Sequence, residues 1–183
     1  MIQPAVAPRI EADMPTTQFR PDRRGLLMGA AALVAVAGCA KATGGGAAEA
    51  AFATSPWRKL TDAQWKARLP FDSYNTLRHE ATEYPGSSPL LNEHRRGQFV
   101  CMGCALPLFN SDAKYESGTG WPSFFRAIPG ALGAKTDMLI GVPRTEYHCA
   151  RCLGHQGHLF DDGPRPTGKR YCNNGVAIKF VAA

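Results

Sequence analysis

The sequence has no run of five or six like charges and no apolar stretch long enough to span a bilayer. A net charge of +6 over 183 residues is modest, so the charge pattern predicts no nucleic-acid partner. With 44% hydrophobic and 20% charged residues, the composition excludes full disorder and a collagen-like fibre. The six cysteines stand out, because four of them form two Cys-x-x-Cys pairs.

The first 39 residues have the pattern of an export signal. Arg23 and Arg24 precede an apolar stretch at residues 25–38, which is shorter than the roughly 20 residues of a membrane-spanning helix. Paired arginines at this place indicate a Tat-type signal. Residues 36–39 resemble a bacterial lipoprotein cleavage site, at which Cys39 would carry a lipid anchor. We therefore predict an exported protein, periplasmic or anchored on the extracytoplasmic side. Ordinary cleavage nearby and a buried apolar helix are the alternatives.

Residues 40–55 are small and mostly apolar or neutral, which predicts a flexible linker, and residues 56–183 form the predicted domain. Thr61 to Gln64 has the form of a helix capping box, and a second short helix is expected at residues 71–81. Short β-branched and aromatic runs follow. They predict strands at residues 98–101, 138–142, 144–149, 158–160, 169–172 and 176–181. Helices first and strands later favour a mainly β, α+β fold.

The two Cys-x-x-Cys pairs predict a four-cysteine metal site. Two residues between cysteines allow one tight turn to aim both sulfurs at one ion, and two such turns complete a tetrahedron. Because all four positions are filled by protein, we expect one structural Zn²⁺. Disulfides, a redox dithiol and an iron site with the same ligands remain alternatives. The ligands are Cys101, Cys104, Cys149 and Cys152.

Cys172 is the unpaired cysteine of the predicted domain. Two cations precede it in Lys169-Arg170, and a nearby positive charge lowers a thiol pKa and favours the nucleophilic thiolate. On an extended strand, Arg170, Cys172 and Asn174 would share one face. A buried structural thiol is the alternative.

Three further residues complete a candidate site. His155 and His158 follow the second Cys-x-x-Cys pair, and imidazole can donate or accept a proton near neutral pH. Trp121 lies in a glycine-flanked aromatic segment that could wall a pocket. A second metal site, hydrogen-bonded loop histidines and simple core packing are the alternatives.

Taken together, these motifs closely resemble those of the B-type methionine-R-sulfoxide reductases. The resemblance rests on both cysteine pairs and on the segments at residues 117–124, 155–164 and 168–174, and it covers about residues 58–183. It implies a compact, mainly antiparallel β fold, barrel-like in form, with a structural zinc and short helices at its start.

The resemblance also implies roles for individual residues. Cys172 would attack the sulfoxide sulfur of methionine-R-sulfoxide in oxidised proteins and become a sulfenic acid. His158, assisted by His155, would protonate the departing oxygen. The remaining roles are substrate contact and positioning: Trp121 would pack on the S-methyl group, Phe160 would help wall the pocket, Arg170 and Asn174 would position thiolate and substrate, and Asp162 would orient Arg170.

One position departs from the family pattern. Many members carry a second, resolving cysteine where this sequence has Thr119. We therefore expect an external small thiol or a thioredoxin-like partner to reduce the sulfenic acid. The competing hypotheses are an exported zinc-ribbon binding module without catalysis and a disulfide-stapled domain without chemistry.

Overall fold

The computed structural model describes residues 46–183. The predicted export signal, Cys39 and residues 40–45 of the predicted linker lie outside this range. Three α-helices come first: α1 (Gly46–Ala50), α2 (Asp62–Arg68) and α3 (Phe71–His79). Short 3-10 helices lie at Pro56–Lys59, Pro89–Asn92, Ser111–Ala113 and Gly175–Ala177. No helix of the described part combines the length and apolarity needed to cross a bilayer.

Nine strands follow, and every pairing between them is antiparallel. A three-stranded sheet has the order β2-β1-β9, and a six-stranded sheet has the order β3-β4-β8-β7-β6-β5. The predicted mainly β fold with short N-terminal helices is confirmed. The strands are β1 (Gly97–Cys101), β2 (Pro107–Asn110), β3 (Lys114–Tyr115), β4 (Ser123–Phe124), β5 (Leu132–Asp137), β6 (Arg144–Cys149), β7 (His155–Phe160), β8 (Arg170–Asn173) and β9 (Ile178–Ala182).

The local sequence pattern predicted where α2 begins. The hydroxyl of Thr61 accepts a hydrogen bond from the amide of Gln64, whose side chain accepts one from the Thr61 amide. This capping box begins α2, as predicted, and the helix ends before Pro70. The buried Trp65 then points from α2 into the core, where its ring lies so close to Gly103 of the first cysteine turn that a Cβ there would be only 3.2 Å from it.

An aromatic cluster joins the two sheets. The rings of Phe109 and Phe124 stack with centroids 4.1 Å apart, and Phe99 meets Phe124 edge to face at 4.9 Å. Tyr147 closes the cluster from β6, and its hydroxyl donates to Asn173 Oδ1 at 2.8 Å. Aromatic side chains bury large areas and prefer these geometries, so the cluster fixes how β4 and β8 sit against the first sheet.

Two predictions about strands were wrong. Residues 138–142 form an exposed turn with Gly141 at φ +76°, and the strand lies just before them in β5. The sequence of β5, Leu-Gly-Ala-Lys-Thr-Asp, has little strand propensity, but full pairing with β6 overrides that preference. Val176 lies in a 3-10 helix, so the last strand begins only at Ile178.

The linker prediction does not hold for residues 46–55. Glu49 of α1 contacts His148 of β6 at 3.1 Å, and Phe52 packs against the core. The guanidinium of Arg58 donates to the carbonyls of Glu49 and Ala150, at 2.8 and 2.7 Å. A few specific contacts offset the ordering entropy of this small-residue segment, which composition alone did not reveal.

Candidate active site and metal centre

The two Cys-x-x-Cys segments form matching turns. In the first, the amide of Ala105 donates to the Cys101 carbonyl at 2.8 Å, and in the second the amide of Leu153 donates to the Cys149 carbonyl at 2.9 Å. Ala105 and Leu153 both adopt left-handed φ, +59° and +61°. The repeated sequence pattern therefore corresponds to a repeated backbone turn, which aims two sulfurs inward each time.

The four buried sulfurs converge on one point. Cys101 and Cys152 lie 3.6 Å apart and Cys104 and Cys149 lie 3.5 Å apart, with all four sulfurs within 4.8 Å of one another. Sulfurs around a tetrahedral zinc are about 3.8 Å apart when each Zn–S bond is about 2.3 Å. A disulfide requires about 2.05 Å, and these four cysteines are unbridged. The set fits one closed metal site.

Polar groups from elsewhere in the chain surround this centre. Gln156 Nε2 lies 3.5 Å from the sulfur of Cys101, as a donor to a thiolate would. Arg78 and Arg151 donate to the carbonyls of Cys152 and Cys104. These cations, with Arg58 on Ala150, offset the negative charge of four thiolates.

Cys172 lines a cavity of about 120 Å³ that is separate from the four-cysteine centre. The sheet places it there: in β8 it is the cross-strand partner of His158 in β7 and of Ser123 in β4. Directly paired residues of antiparallel strands project from the same face. The cavity is lined by predicted site residues, namely Trp121, His158, Phe160, Cys172 and Asn174, and by Arg144, which was not predicted.

The expected low pKa of Cys172 is not found. Burial raises the pKa of its thiol, and the nearby Arg170 charge and the hydrogen bonds of Thr119 and Arg170 offset that only in part. Both cations that precede Cys172 are paired with carboxylates, because Lys169 pairs with Asp161 and Arg170 binds Asp162. Cys172 therefore rests as a thiol at neutral pH.

His158 is held by a carboxylate. Its Nε2 lies 2.8 Å from Asp137 Oδ2, and Asp137 also binds Arg144 at 2.6 Å and the Leu139 amide at 2.7 Å. The Leu139 amide, His158 and Arg144 hold the pKa of Asp137 well below its ordinary value. Burial lowers the pKa of His158, although Asp137 acts in the other direction. A neutral His158 with its hydrogen on Nε2 leaves Nδ1 as the proton acceptor.

His155 lies behind His158 and does not line the cavity. It is 2% exposed, and its ring meets the His158 ring edge to face at 5.4 Å. Its Nδ1 lies 3.0 Å from Glu146, which also pairs with Lys135 at 3.0 Å. Burial raises the pKa of Glu146, but His155 and Lys135 outweigh it and keep the carboxylate ionised. His155 can therefore act on the cavity only through His158.

Arg170 packs on Phe160, but unlike Phe160 it does not line the cavity. The guanidinium lies 4.2 Å from the Phe160 ring centroid, and it binds both oxygens of Asp162 at 2.8 Å, as expected for a residue oriented by that carboxylate. These contacts hold Arg170 beside Cys172, which precedes the end of β8 by one residue. Asn174 lies beyond the strand end, so it reaches the cavity from the following turn.

Glu83 was not predicted, yet it contacts two residues that line the cavity, Trp121 and Asn174. Its carbonyl accepts from Trp121 Nε1 at 3.1 Å, and its amide donates to Asn174 Oδ1 at 3.1 Å. Its carboxylate accepts from the amides of Gly175 and Val176. A single acid in a loop gives no sequence signal, since its partners lie 38 to 93 residues away. Asp137 and Arg144 were also missed, because their place beside His158 depends on the pairing of β5, β6 and β7.

Comparison with known proteins agrees with this geometry. Residues 69–182 match the SelR domain. The chain is 46% identical over 121 residues to a peptide methionine sulfoxide reductase MsrB of Thiobacillus denitrificans, covering 66% of this chain and 92% of that one. It is 45% identical over 128 residues to the MsrB of Agrobacterium fabrum, covering 69% and 95%. It is 48% identical over 121 residues to the MsrB of Bradyrhizobium diazoefficiens, covering 66% and 87%.

The fold and the cysteine-centred cavity thus define an oxidoreductase of the thiol-dependent class. More particularly, the chain belongs to the SelR-domain family of peptide-methionine (R)-S-oxide reductases, the B type. A zinc-ribbon binding module without catalysis is not favoured by this relationship.

Proposed function

We propose that the protein reduces methionine-R-sulfoxide in oxidised proteins with Cys172 as nucleophile. The observation that carries this assignment is the pairing of Cys172 with His158 across β8 and β7, in a cavity that Trp121 and Phe160 also line. A nucleophile and a proton carrier must meet at one sulfur–oxygen bond, and this register brings them together.

The resting protonation states suggest how the proton moves. Cys172 starts as a thiol and His158 as a neutral imidazole, so the thiol proton passes to His158 as sulfur attacks sulfur. His158 then returns it to the sulfoxide oxygen. The oxygen leaves the methionine sulfur and bonds to the Cys172 sulfur as the transient sulfur–sulfur bond breaks, which yields methionine and a Cys172 sulfenic acid. The methionine sulfur gains two electrons and the Cys172 sulfur loses two, so no further reagent enters this step.

Trp121 and Phe160 offer an apolar wall for the S-methyl group, while Arg170 and Asn174 position the thiol and the polar part of the substrate. Asp137 serves His158 by fixing its tautomer. The backbone of Glu83 holds the side chains of Trp121 and Asn174, because its carbonyl accepts from Trp121 and its amide donates to Asn174. These assignments rest on the contacts of the cavity residues.

The reductant is proposed to come from outside the chain. Within residues 46–183, Cys172 is the only cysteine outside the metal cluster, and Thr119 stands beside it. One external thiol would form a mixed disulfide with Cys172 and release water. A second thiol would then restore the Cys172 thiol. A small thiol or a thioredoxin-like protein has this chemistry.

We also propose that the four-cysteine centre binds one Zn²⁺ with a structural role, since protein sulfur fills every position of the tetrahedron. Export and lipidation of Cys39 remain proposals based on the leader sequence alone. Replacing Arg23 and Arg24 with lysine should abolish export in cell fractionation, and Cys39→Ala should release any membrane-anchored protein.

The decisive test of the activity is an epimer-resolved assay. Turnover of the R but not the S epimer of a blocked methionine sulfoxide, lost in Cys172→Ser, is the expected result. Turnover that persists in Cys172→Ser, or that prefers the S epimer, would overturn the proposal.

A further inference from the structure

The β5–β6 hairpin ends in an exposed apolar tip. Residues 138–143 join the two strands, the apolar tip is residues 138–142, and Leu139 and Ile140 are 76% and 60% exposed. Met138 and Val142 are also exposed, and the tip contains no charged or aromatic side chain. An apolar cluster of this kind in contact with water usually marks a surface that another molecule covers.

The base of this tip belongs to the active-site cavity. Asp137 and Arg144 are cross-strand partners immediately before and shortly after the tip. Arg144 lines the cavity, and Asp137 binds both Arg144 and His158. The Leu139 amide also donates to Asp137, so the tip is fixed relative to the cavity. The tip is therefore joined to the lining of the cavity through Arg144.

We propose that the tip at residues 138–142 docks the polypeptide on either side of the oxidised methionine, and that it selects segments with apolar neighbours. This inference rests on the proposed function and adds a specificity surface to it. Methionine is mostly buried in folded proteins, so its neighbours are often apolar. When oxidation or unfolding exposes such a segment, an apolar tip beside the cavity can bury those neighbours.

Two other occupants are less well supported. Membrane-binding surfaces combine apolar side chains with lysine, arginine or tryptophan, which residues 138–142 lack. A second copy of the chain would cover the tip and restrict the neighbouring cavity. Continuity with the cavity favours the substrate polypeptide.

The test compares three substrates with a tip variant. Leu139→Ser combined with Ile140→Ser removes two exposed side chains and keeps the Leu139 amide that binds Asp137. The substrates are a single blocked methionine-R-sulfoxide, a peptide with leucine and valine around the sulfoxide, and the same peptide with serine and glycine there. We expect kcat/KM for the apolar peptide to fall about five- to tenfold, mainly through KM. The kcat/KM values for the blocked amino acid and for the serine–glycine peptide should stay unchanged.

Phe71→Ser is the matched control, because Phe71 is equally exposed but belongs to α3 and lines no part of the cavity. It should leave all three values unchanged. The docking role would be overturned if the tip variant lost kcat/KM equally on the blocked amino acid, or if it lost none on the apolar peptide. So would vesicle binding or dimer formation that the tip variant abolishes while peptide kinetics stay the same. If the wild type reduces none of the substrates, the proposed function fails as well.

Discussion

Cys172 and His158 are direct cross-strand partners in the six-stranded sheet, and Asp137 holds His158 from the far end of β5. This arrangement sets thiol, imidazole and carboxylate in sequence across β8, β7 and β5. It makes the chemistry of the cavity depend on sheet register, because a slip of one residue would move His158 to the other face.

The fate of Cys172 after one turnover can be measured directly. With no reductant present, we expect a Cys172 sulfenic acid that a dione reagent traps, since the other described cysteines form the metal cluster. Mass spectrometry of the digested protein reads out the adduct. An intramolecular disulfide that includes Cys172 would contradict an external reductant.

Asp137→Asn should lower kcat/KM about 10- to 100-fold, because a proton carrier held in one tautomer contributes on that scale. His158 faces Asp137, Arg144 and His155, and of these only Asp137 raises its pKa. Removing that carboxylate therefore lowers the pKa of His158 further. The acid side of the pH–rate profile, where protonation of His158 removes the proton acceptor, should shift to lower pH. Asp161→Asn, at an exposed carboxylate outside the cavity, should change neither quantity.

Alkylation rates test the resting state of Cys172. Because burial raises its pKa, reaction with iodoacetamide should increase with pH and reach its midpoint above the ordinary value for cysteine. Arg170→Leu removes a charge and a hydrogen bond that both lower the pKa, so the midpoint should rise further. Lys169→Met should leave it unchanged. A midpoint below neutrality in the wild type would show that the thiolate is the resting form.

The metal centre should contain about one zinc per chain. Cys104→Ser removes one of four ligands and should release the metal and lower the melting temperature by at least about 10 °C, since each kcal/mol shifts it by several degrees. Cys172→Ser should keep full metal content. Metal analysis and thermal unfolding give the two values. Unchanged stability without metal would contradict a structural role.

The contact between the N-terminal segment and the second cysteine turn is also testable. Arg58→Met removes the guanidinium that joins Glu49 to Ala150, and it should cost about 1.5–3 kcal/mol of the free energy of unfolding. Lys59→Met, one residue further along and exposed, should cost less than about 0.5 kcal/mol. Urea denaturation measures both. Equal effects would mean that residues 46–55 add nothing to stability.

Features decided within a few residues were predicted well. The capping box of α2, the strand at Arg144–Cys149 and the paired cysteine turns all depend on near neighbours in sequence. The sequence pattern did not predict β5, because this strand has weak strand propensity and forms only through its pairing with β6. The flexible linker at residues 46–55 was wrong for a similar reason, since Arg58 and His148 hold it from outside.

The sequence by itself determined the chemistry available to this protein: four thiols spaced for one metal, Cys172 apart from them, two histidines and the motifs of one reductase family. Only the tertiary structure decided that Asp137, Arg144 and Glu83 serve the site, that His155 lies behind His158, and that Cys172 rests as a thiol. Residue type and local spacing follow from the order of the chain. Burial, hydrogen bonding and charge pairing depend on residues up to 99 positions apart, which only the fold brings together.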